Sequence, residues 1–419
     1  MTDWLLRRAR VADDAAPVDI AIEAGRITAV AAALPPAAEH SWDLEGCVVL
    51  PGLVDAHTHL DKTYSTTENQ SGTLREALDV WSRVKRDRSR ADVQAAARQA
   101  IHAAVAHGVT AMRSHVDTEV RGDLAALEAL LELREQARDV IDLQLVALGV
   151  PGGSQENRET IAEALRLGAD YVGGAPALAA DPRADMDAAF DLADHAGKPL
   201  DLHIDETEDP HMLTLEYLAE QTIRRGAQGQ VTAGHCCSLA FADEPAAARV
   251  MDKVADARLN VVTLPSCNLV LMGRDRQPPP RGITRVKELR ARGVNVCAAS
   301  DNVRDPFNPF GSYDLLHIAN LNAHVAHMSG EAELYASLQM VTTHAAQTLG
   351  LPRYGLAPGM DADLVVLDAT QVLEAVLSPP PRLATFKAGR LVVRTSIERD
   401  WSPIAGRPPS AVAPPQSEA

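Results

Sequence analysis

Val48-Val49-Leu50-Pro51-Gly52-Leu53-Val54-Asp55-Ala56-His57-Thr58-His59 runs from an apolar stretch directly into two histidines one residue apart. An apolar run of this length reads as a buried strand, and side chains two apart on a strand share a face. His57 and His59 are therefore expected to point together from one strand end, the geometry of a pair of metal ligands. Two surface histidines in a loop are the ordinary alternative for an isolated H-x-H. The remainder of the chain decides between the two.

From about Pro51 to Pro352, short β-rich apolar runs alternate with longer alanine-rich segments of helical period, the signature of repeated βα units and a parallel sheet. Strands are expected to end near His57, His115, Gly149, Pro176, His203, His235, Pro265 and Asp301. The intervening helices include Thr73 to His107, Leu124 to Arg138 and Ala188 to His195. This pattern predicts an α/β fold, a (β/α)8 TIM-like barrel whose functional side chains sit at the C-terminal strand ends. A doubly wound open sheet would not need eight strands.

Outside this span the chain changes character. Leu5-Leu6, Ile20-Ala21-Ile22 and Ile27 to Val30 are short strand-like pieces, and Phe386-Lys-Ala-Gly-Arg-Leu-Val-Val-Arg394 has the form of a hairpin turning at Gly389. Residues 1–50 and 353–402 are expected to pair into one small β-sandwich beside a catalytic barrel of residues 51–352. Residues 403–419, rich in Pro, Ser and Ala, are expected to form a flexible or arm-like tail.

Composition narrows the class. The 419 residues are 46% hydrophobic and 23% charged, enough for a large core. The 40 basic and 57 acidic residues give a net charge of -17, which argues against nucleic acid and anionic membrane surfaces as partners. No apolar run is long enough to span a bilayer, and the first residues lack the core of a secretion signal, so a cytoplasmic protein is expected. The five cysteines show no C-x-x-C spacing and are read as buried free thiols.

Three further strand ends carry metal-ligand types. His203 is followed three residues later by Glu206, His235 closes another strand, and Asp301 closes the eighth. Imidazole with carboxylate suits zinc or ferrous iron, leaving a position for water. Convergence of several strand ends on such residues favours a site over coincidence.

At this point the chain resembles the amidohydrolase superfamily, and within it the cytosine deaminase branch with its s-triazine relatives. The likeness covers nearly the whole chain. Its most specific pieces are Pro51-Gly-Leu-Val-Asp-Ala-His-Thr-His-Leu-Asp61, Arg113-Ser-His-Val-Asp117, His203-Ile-Asp-Glu206, Arg281-Gly-Ile-Thr-Arg-Val-Lys-Glu-Leu289 and Asp301-Asn-Val-Arg-Asp-Pro-Phe-Asn-Pro-Phe-Gly311. The resemblance implies one divalent ion, Zn2+ or Fe2+, held by His57, His59, His203 and Asp301. It places His235 beside the metal-bound water, makes Glu206 the proton shuttle, and lets Asp301 take up a proton as well as bind metal. Two-metal members of the superfamily use a carboxylated lysine at the fourth strand, and Ala169-Asp-Tyr-Val-Gly-Gly-Ala-Pro176 has none. The implied reaction is deamination of an amino-substituted nitrogen heterocycle, such as cytosine or a related pyrimidine or triazine, by metal-bound hydroxide. The alternatives are release of an alkylamine from an N-substituted triazine, opening of a cyclic amide, or a non-catalytic scaffold that kept the barrel. The substrate is a free small molecule, and a homo-oligomer is expected.

Two departures from the branch fall on substrate contacts. Cytosine deaminases carry a glutamine after the third strand that reads the ring's amide face; here Val150 takes its place, with Gln155 displaced from it. Asn302 stands where the branch has a second aspartate. Lys62 and Arg304 are cations expected near the mouth, each either a substrate partner or a solvated loop charge. Phe307 and Phe310 are candidates to cover a planar ring, and His115 is placed to line the pocket. His102, His107, His195, His317, His324 and His327 read as surface or packing residues, and Trp4, Trp42, Trp81 and Trp401 as core or interface anchors. Of Cys236 and Cys237, at most one can face the metal.

Overall fold

A computed structural model describes residues 2–118 and 124–398. The expected tail of residues 403–419, and Trp401, lie outside the described residues. The first half of the small domain is a sheet of β1 (Thr2–Ala9), β2 (Val18–Glu23), β3 (Arg26–Ala31) and β4 (Ala38–Asp43), in the order β3-β2-β1-β4. A second sheet takes β5 (Val48–Pro51) from the N-terminal part, and its remaining strands come from the far end of the chain. The opening apolar run is thus divided, with β5 in this sheet and β6 (Leu53–Thr58) beginning the barrel. Gly52 makes the division possible, since a Cβ there would lie 2.2 Å from the Thr110 hydroxyl.

The barrel continues through β7 (Val109–Asp117), β8 (Asp142–Leu148), β9 (Tyr171–Gly174), β10 (Leu200–Ile204), β11 (Val231–His235), β12 (Asn260–Thr263) and β13 (Asn295–Ala298), each parallel to the next. All eight expected strand ends are present. Closure comes from a short bridge between Thr58 and Asp301: the Asp301 N–H donates to the His57 carbonyl at 2.9 Å, and the Thr58 hydroxyl donates to the Asp301 carbonyl at 2.9 Å. The last three strands are β14 (Leu364–Leu367), β15 (Arg382–Lys387) and β16 (Arg390–Arg394), and they complete the second sheet in the order β16-β15-β14-β5. Leu6, Ile20 and Trp42 from one sheet meet Val49, Leu364 and Phe386 from the other in a single apolar core, which makes the terminal segments a β-sandwich.

The helical expectations need two adjustments. Thr73 to His107 forms two helices, Leu74–Asp87 and Arg90–Ala106, because Ser89 starts a new one with a reciprocal cap to Asp92. The segment expected at Ala188 begins earlier, at Pro182, where Asp181 accepts hydrogen bonds from the first-turn amides.

Inside the barrel, alternate residues stack in layers. The lower layer holds Arg113, with its side chain fully buried: its guanidinium donates to Asp201 at 2.7 Å, to the Gln144 carboxamide at 3.0 Å and to the Thr348 carbonyl at 2.9 Å, and lies 3.8 Å over the Tyr171 ring. Arg113→Met removes the only cation reaching Asp201 among the described residues and strands a buried carboxylate. The expected loss is about 3–5 kcal/mol, read as a lower urea midpoint for the purified protein.

Candidate active site

Two residues above this layer, the same strand faces carry histidines. His57, on β6, follows Asp55, whose carboxylate accepts hydrogen bonds from the Ser300 amide at 3.1 Å and hydroxyl at 2.5 Å. His115, on β7, follows Arg113, and His203, on β10, follows Asp201. Ring centroids lie 4.1 Å apart for His57 and His115, 4.7 Å for His57 and His203, and 5.0 Å for His203 and His235. His235 and Asp301 are non-glycine residues held at φ of 68° and 58°. Such left-handed backbone at strand ends is strained and is tolerated where the surroundings fix it.

The ligating atoms converge. His57 Nε2 is 3.5 Å and His59 Nε2 3.4 Å from Asp301 Oδ1, and His203 Nε2 is 3.2 Å from His59 Nε2. Burial lowers the imidazole pKa values: His115 to about 4, His235 to about 3, and His59 and His203 well below the usual histidine range. These rings are neutral near pH 7, with lone pairs available. Burial also opposes ionisation of Asp301, yet its hydrogen bonds with His57 and His59 and the nearby His235 hold its pKa well below the usual carboxylate range. Both Asp301 oxygens, both nitrogens of His57 and Nε2 of His235 are buried without a hydrogen bond of good geometry. A buried carboxylate among neutral imidazoles, with acceptors left unsatisfied, has the chemistry of a cation site. Two overlapping triads meet metal-binding spacing, His57/His59/Asp301 and His57/His115/His203, so the cluster is one that can hold a metal. His115 lies beneath the other rings rather than on the cavity wall, with Nε2 3.4 Å from Asp201.

Glu206 Oε1 is 3.4 Å from His235 Nδ1, and the Asn268 amide nitrogen is 3.0 Å from the same atom. With that amide donating, Nδ1 is an acceptor and the neutral ring carries its proton on Nε2, on the side of the cluster. Burial and the charge of Asp301 raise the Glu206 pKa well above the usual range, which favours its acid form.

A cavity of about 230 Å³ opens over this group, bounded by His59, His203, Glu206 and His235 on its polar side. Val150, Asn302 and Phe307 all line it. Asn302 is already engaged, its amide donating to Asp305 at 2.6 Å. Arg304 is not brought to the cavity: its φ of 52° turns it outward, and its guanidinium sits 5.7 Å over the Tyr64 ring. Phe310 is 64% exposed, and Gln155 bonds Glu159 at 2.7 Å on the surface. Lys62 does line the cavity, but its ammonium is matched by Asp117 at 2.6 Å and Asp61 at 3.2 Å.

Sequence reasoning missed several contributors. Trp81, expected to be a packing anchor, forms part of the cavity wall with Leu74 and Leu78, and its indole N–H donates to Asp117 at 2.7 Å. The spacing of 74, 78 and 81 on one helix face was the available signal. Asn268 and Asp185 carry no sequence signal at all. Cys236 and Cys237 are both buried, and burial raises both thiols well above the usual range.

The amidohydrolase family pattern matches residues 66–393. The chain belongs to the amidohydrolase family. The amidohydrolase is 36% identical over 390 residues to pterin deaminase of Rhizobium rhizogenes, covering 90% of this chain and 88% of that protein. It is also similar to 5-methylcytosine deaminase from Klebsiella pneumoniae liganded with 5-fluorocytosine, at 34% identity and a TM-score of 0.90, covering 95% and 99% of the two chains. A third similar structure, N-isopropylammelide isopropylaminohydrolase from Burkholderia multivorans, is 32% identical with a TM-score of 0.83 over 94% and 99%. Family membership makes this amidohydrolase a hydrolase of carbon–nitrogen bonds. No helix among the described residues is long and apolar enough to cross a membrane.

Protein reconstituted with excess zinc and desalted is expected to retain about one ion per chain. His57→Ala and Asp301→Ala are each expected to lose it, as measured by atomic absorption alongside circular dichroism to confirm folding.

Proposed function

We propose that this amidohydrolase deaminates an amino-substituted nitrogen heterocycle, a pyrimidine, pteridine or triazine ring, with one Zn2+ or Fe2+ held by His57, His59, His203 and Asp301. The observation that carries the reading is a carboxyl, Glu206, set 3.4 Å from His235 at the edge of a buried carboxylate–imidazole cluster, on the wall of a small cavity. The similarity to pterin and methylcytosine deaminases supports it. Imidazole with carboxylate accommodates either ion. The chemistry supplied by such an ion is acidification of water towards a pKa of about 7.

The protein's groups divide the remaining work. Asp301 Oδ2 receives the proton of the attacking water. The Glu206 carboxyl protonates the ring nitrogen next to the reacting carbon, the proton held by Asp301 then goes to the departing amine, and the hydroxyl proton released as the carbonyl forms restores Glu206. The His235 Nε2–H is aimed at the oxygen that accumulates charge as the carbon becomes tetrahedral. Val150 in place of a glutamine, and Asn302 in place of an aspartate, favour a ring other than cytosine itself. A net charge of -17 supports a free base rather than a nucleic acid as substrate.

A second reading keeps the site and changes the leaving group. Leu74, Leu78, Trp81, Val150 and Leu178 give the cavity an apolar flank that suits an N-alkyl substituent, and the similarity to an isopropylaminohydrolase points the same way. Ammonia and alkylamine release from aminopyrimidines, pterins, aminotriazines and their N-alkyl derivatives separates the two. Turnover of none of them by metal-loaded enzyme would sink both.

Glu206→Gln is expected to lower kcat by about 10²–10⁴ with metal content unchanged. For the wild type, the acid form of Glu206 is the active one. Its rate is therefore expected to fall as pH rises through the elevated pKa, and this basic limb should be absent from the residual activity of Glu206→Gln.

A further inference from the structure

One wall of the cavity holds a carboxylate that the proposed chemistry does not use. Asp185 stands in the first turn of helix Pro182–Ala196 and is 1% exposed, yet it lines the cavity together with Val150, Leu178 and Glu206. Its Oδ1 accepts the Gly152 N–H at 2.7 Å, in the loop that carries Val150. Its Oδ2 accepts no hydrogen bond from any described residue. One glycine makes the room: a Cβ on Gly152 would come within 2.6 Å of the Asp185 Cα. Asp117, which also lines the cavity, is saturated by Lys62 at 2.6 Å and the Trp81 indole at 2.7 Å. Glu206 lies beside His235. Asp185 Oδ2 is thus the one carboxylate oxygen on the cavity wall, among the described residues and away from the histidine cluster, with no donor.

An unpaired carboxylate oxygen on a side chain this enclosed, facing a cavity, is best satisfied by a donor that enters there. The described neighbours supply none, and the cavity is where one can arrive. We propose that Asp185 reads the substrate: Oδ2 accepts an N–H from the ring edge remote from the carbon being hydrolysed. In the branch that this chain resembles, a glutamine at the position of Val150 reads the ring, and an isopropyl group cannot. This inference rests on the proposed heterocycle hydrolysis and narrows its substrate. The ring carries an N–H or second amino donor on its far edge; a ring presenting only a carbonyl or bare nitrogen there sets lone pair against lone pair. Burial raises the Asp185 pKa, the direction expected of a carboxylate awaiting its donor.

The test uses pairs of rings in which one N–H is replaced by N–CH3, cytosine against 1-methylcytosine and 7,8-dihydropterin against its 8-methyl derivative. Binding is measured by calorimetry and turnover by ammonia release, on zinc-loaded wild type and Asp185→Asn. Asparagine keeps an acceptor for Gly152 and turns the second oxygen into a donor. The wild type is expected to prefer the N–H member of at least one pair by about 100-fold, and Asp185→Asn to erase that preference by weakening the N–H ring alone. Asp185→Ala, checked for folding by circular dichroism, is expected to erase it too. Equal losses for both members, preference retained in both variants, or no binding of any of the four rings would overturn the inference. Discrimination in binding without any ammonia would instead overturn the deamination reading and leave the role of Asp185 standing.

Discussion

The constraint on which the molecule turns is the seam between the first and last barrel strands. The Asp301 amide donates to the His57 carbonyl and the Thr58 hydroxyl to the Asp301 carbonyl, both at 2.9 Å. The backbone that closes the barrel is therefore the backbone of the residues whose side chains converge at its mouth. Elsewhere the strands are joined by longer ladders, but here a single bridge suffices, braced one step away by Asp55 holding the Ser300 amide and hydroxyl. Position of the ligating atoms and integrity of the fold are fixed by one set of contacts.

Around that seam, charge is arranged by depth. The lower layer neutralises itself, with Arg113 meeting Asp201 inside the barrel. At the mouth Lys62 is likewise matched by two carboxylates. Between these levels the histidine cluster is left incomplete, with Asp301, His57 and His235 holding buried polar atoms that have no partner among the described residues. Buried charge is tolerated where a partner is present, so the incomplete level is where a positively charged guest belongs. Glu206 responds in the opposite sense, its pKa pushed up by burial and further by the charge of Asp301.

The sequence made the strand ends legible because period and residue type agree: apolar runs end in His or Asp at five of the eight, and the layers follow from alternation along β6, β7 and β10. The two-sheet sandwich was legible for the same reason. What escaped was direction and distance across the barrel. Arg304 follows Asp301 by three residues, yet a left-handed backbone turns it away. Asp185 and Asn268 lie on helices far along the chain from the residues they face, and no local pattern announces either. The break at Ser89 was readable in principle from Ser89 and Asp92, but the alanine-rich periodicity on both sides hid it.

The seam also orders events in time. Asp55 and Ser300 are 245 positions apart, and Thr58 and Asp301 are 243. Contacts of such separation form late, after the intervening units have been laid down. Until the eighth strand docks against the first, the histidines lack their carboxylate and the cavity lacks its rim. A partly assembled barrel therefore offers a cation only imidazoles, and a tightly held ion becomes a mark of chains that have finished folding.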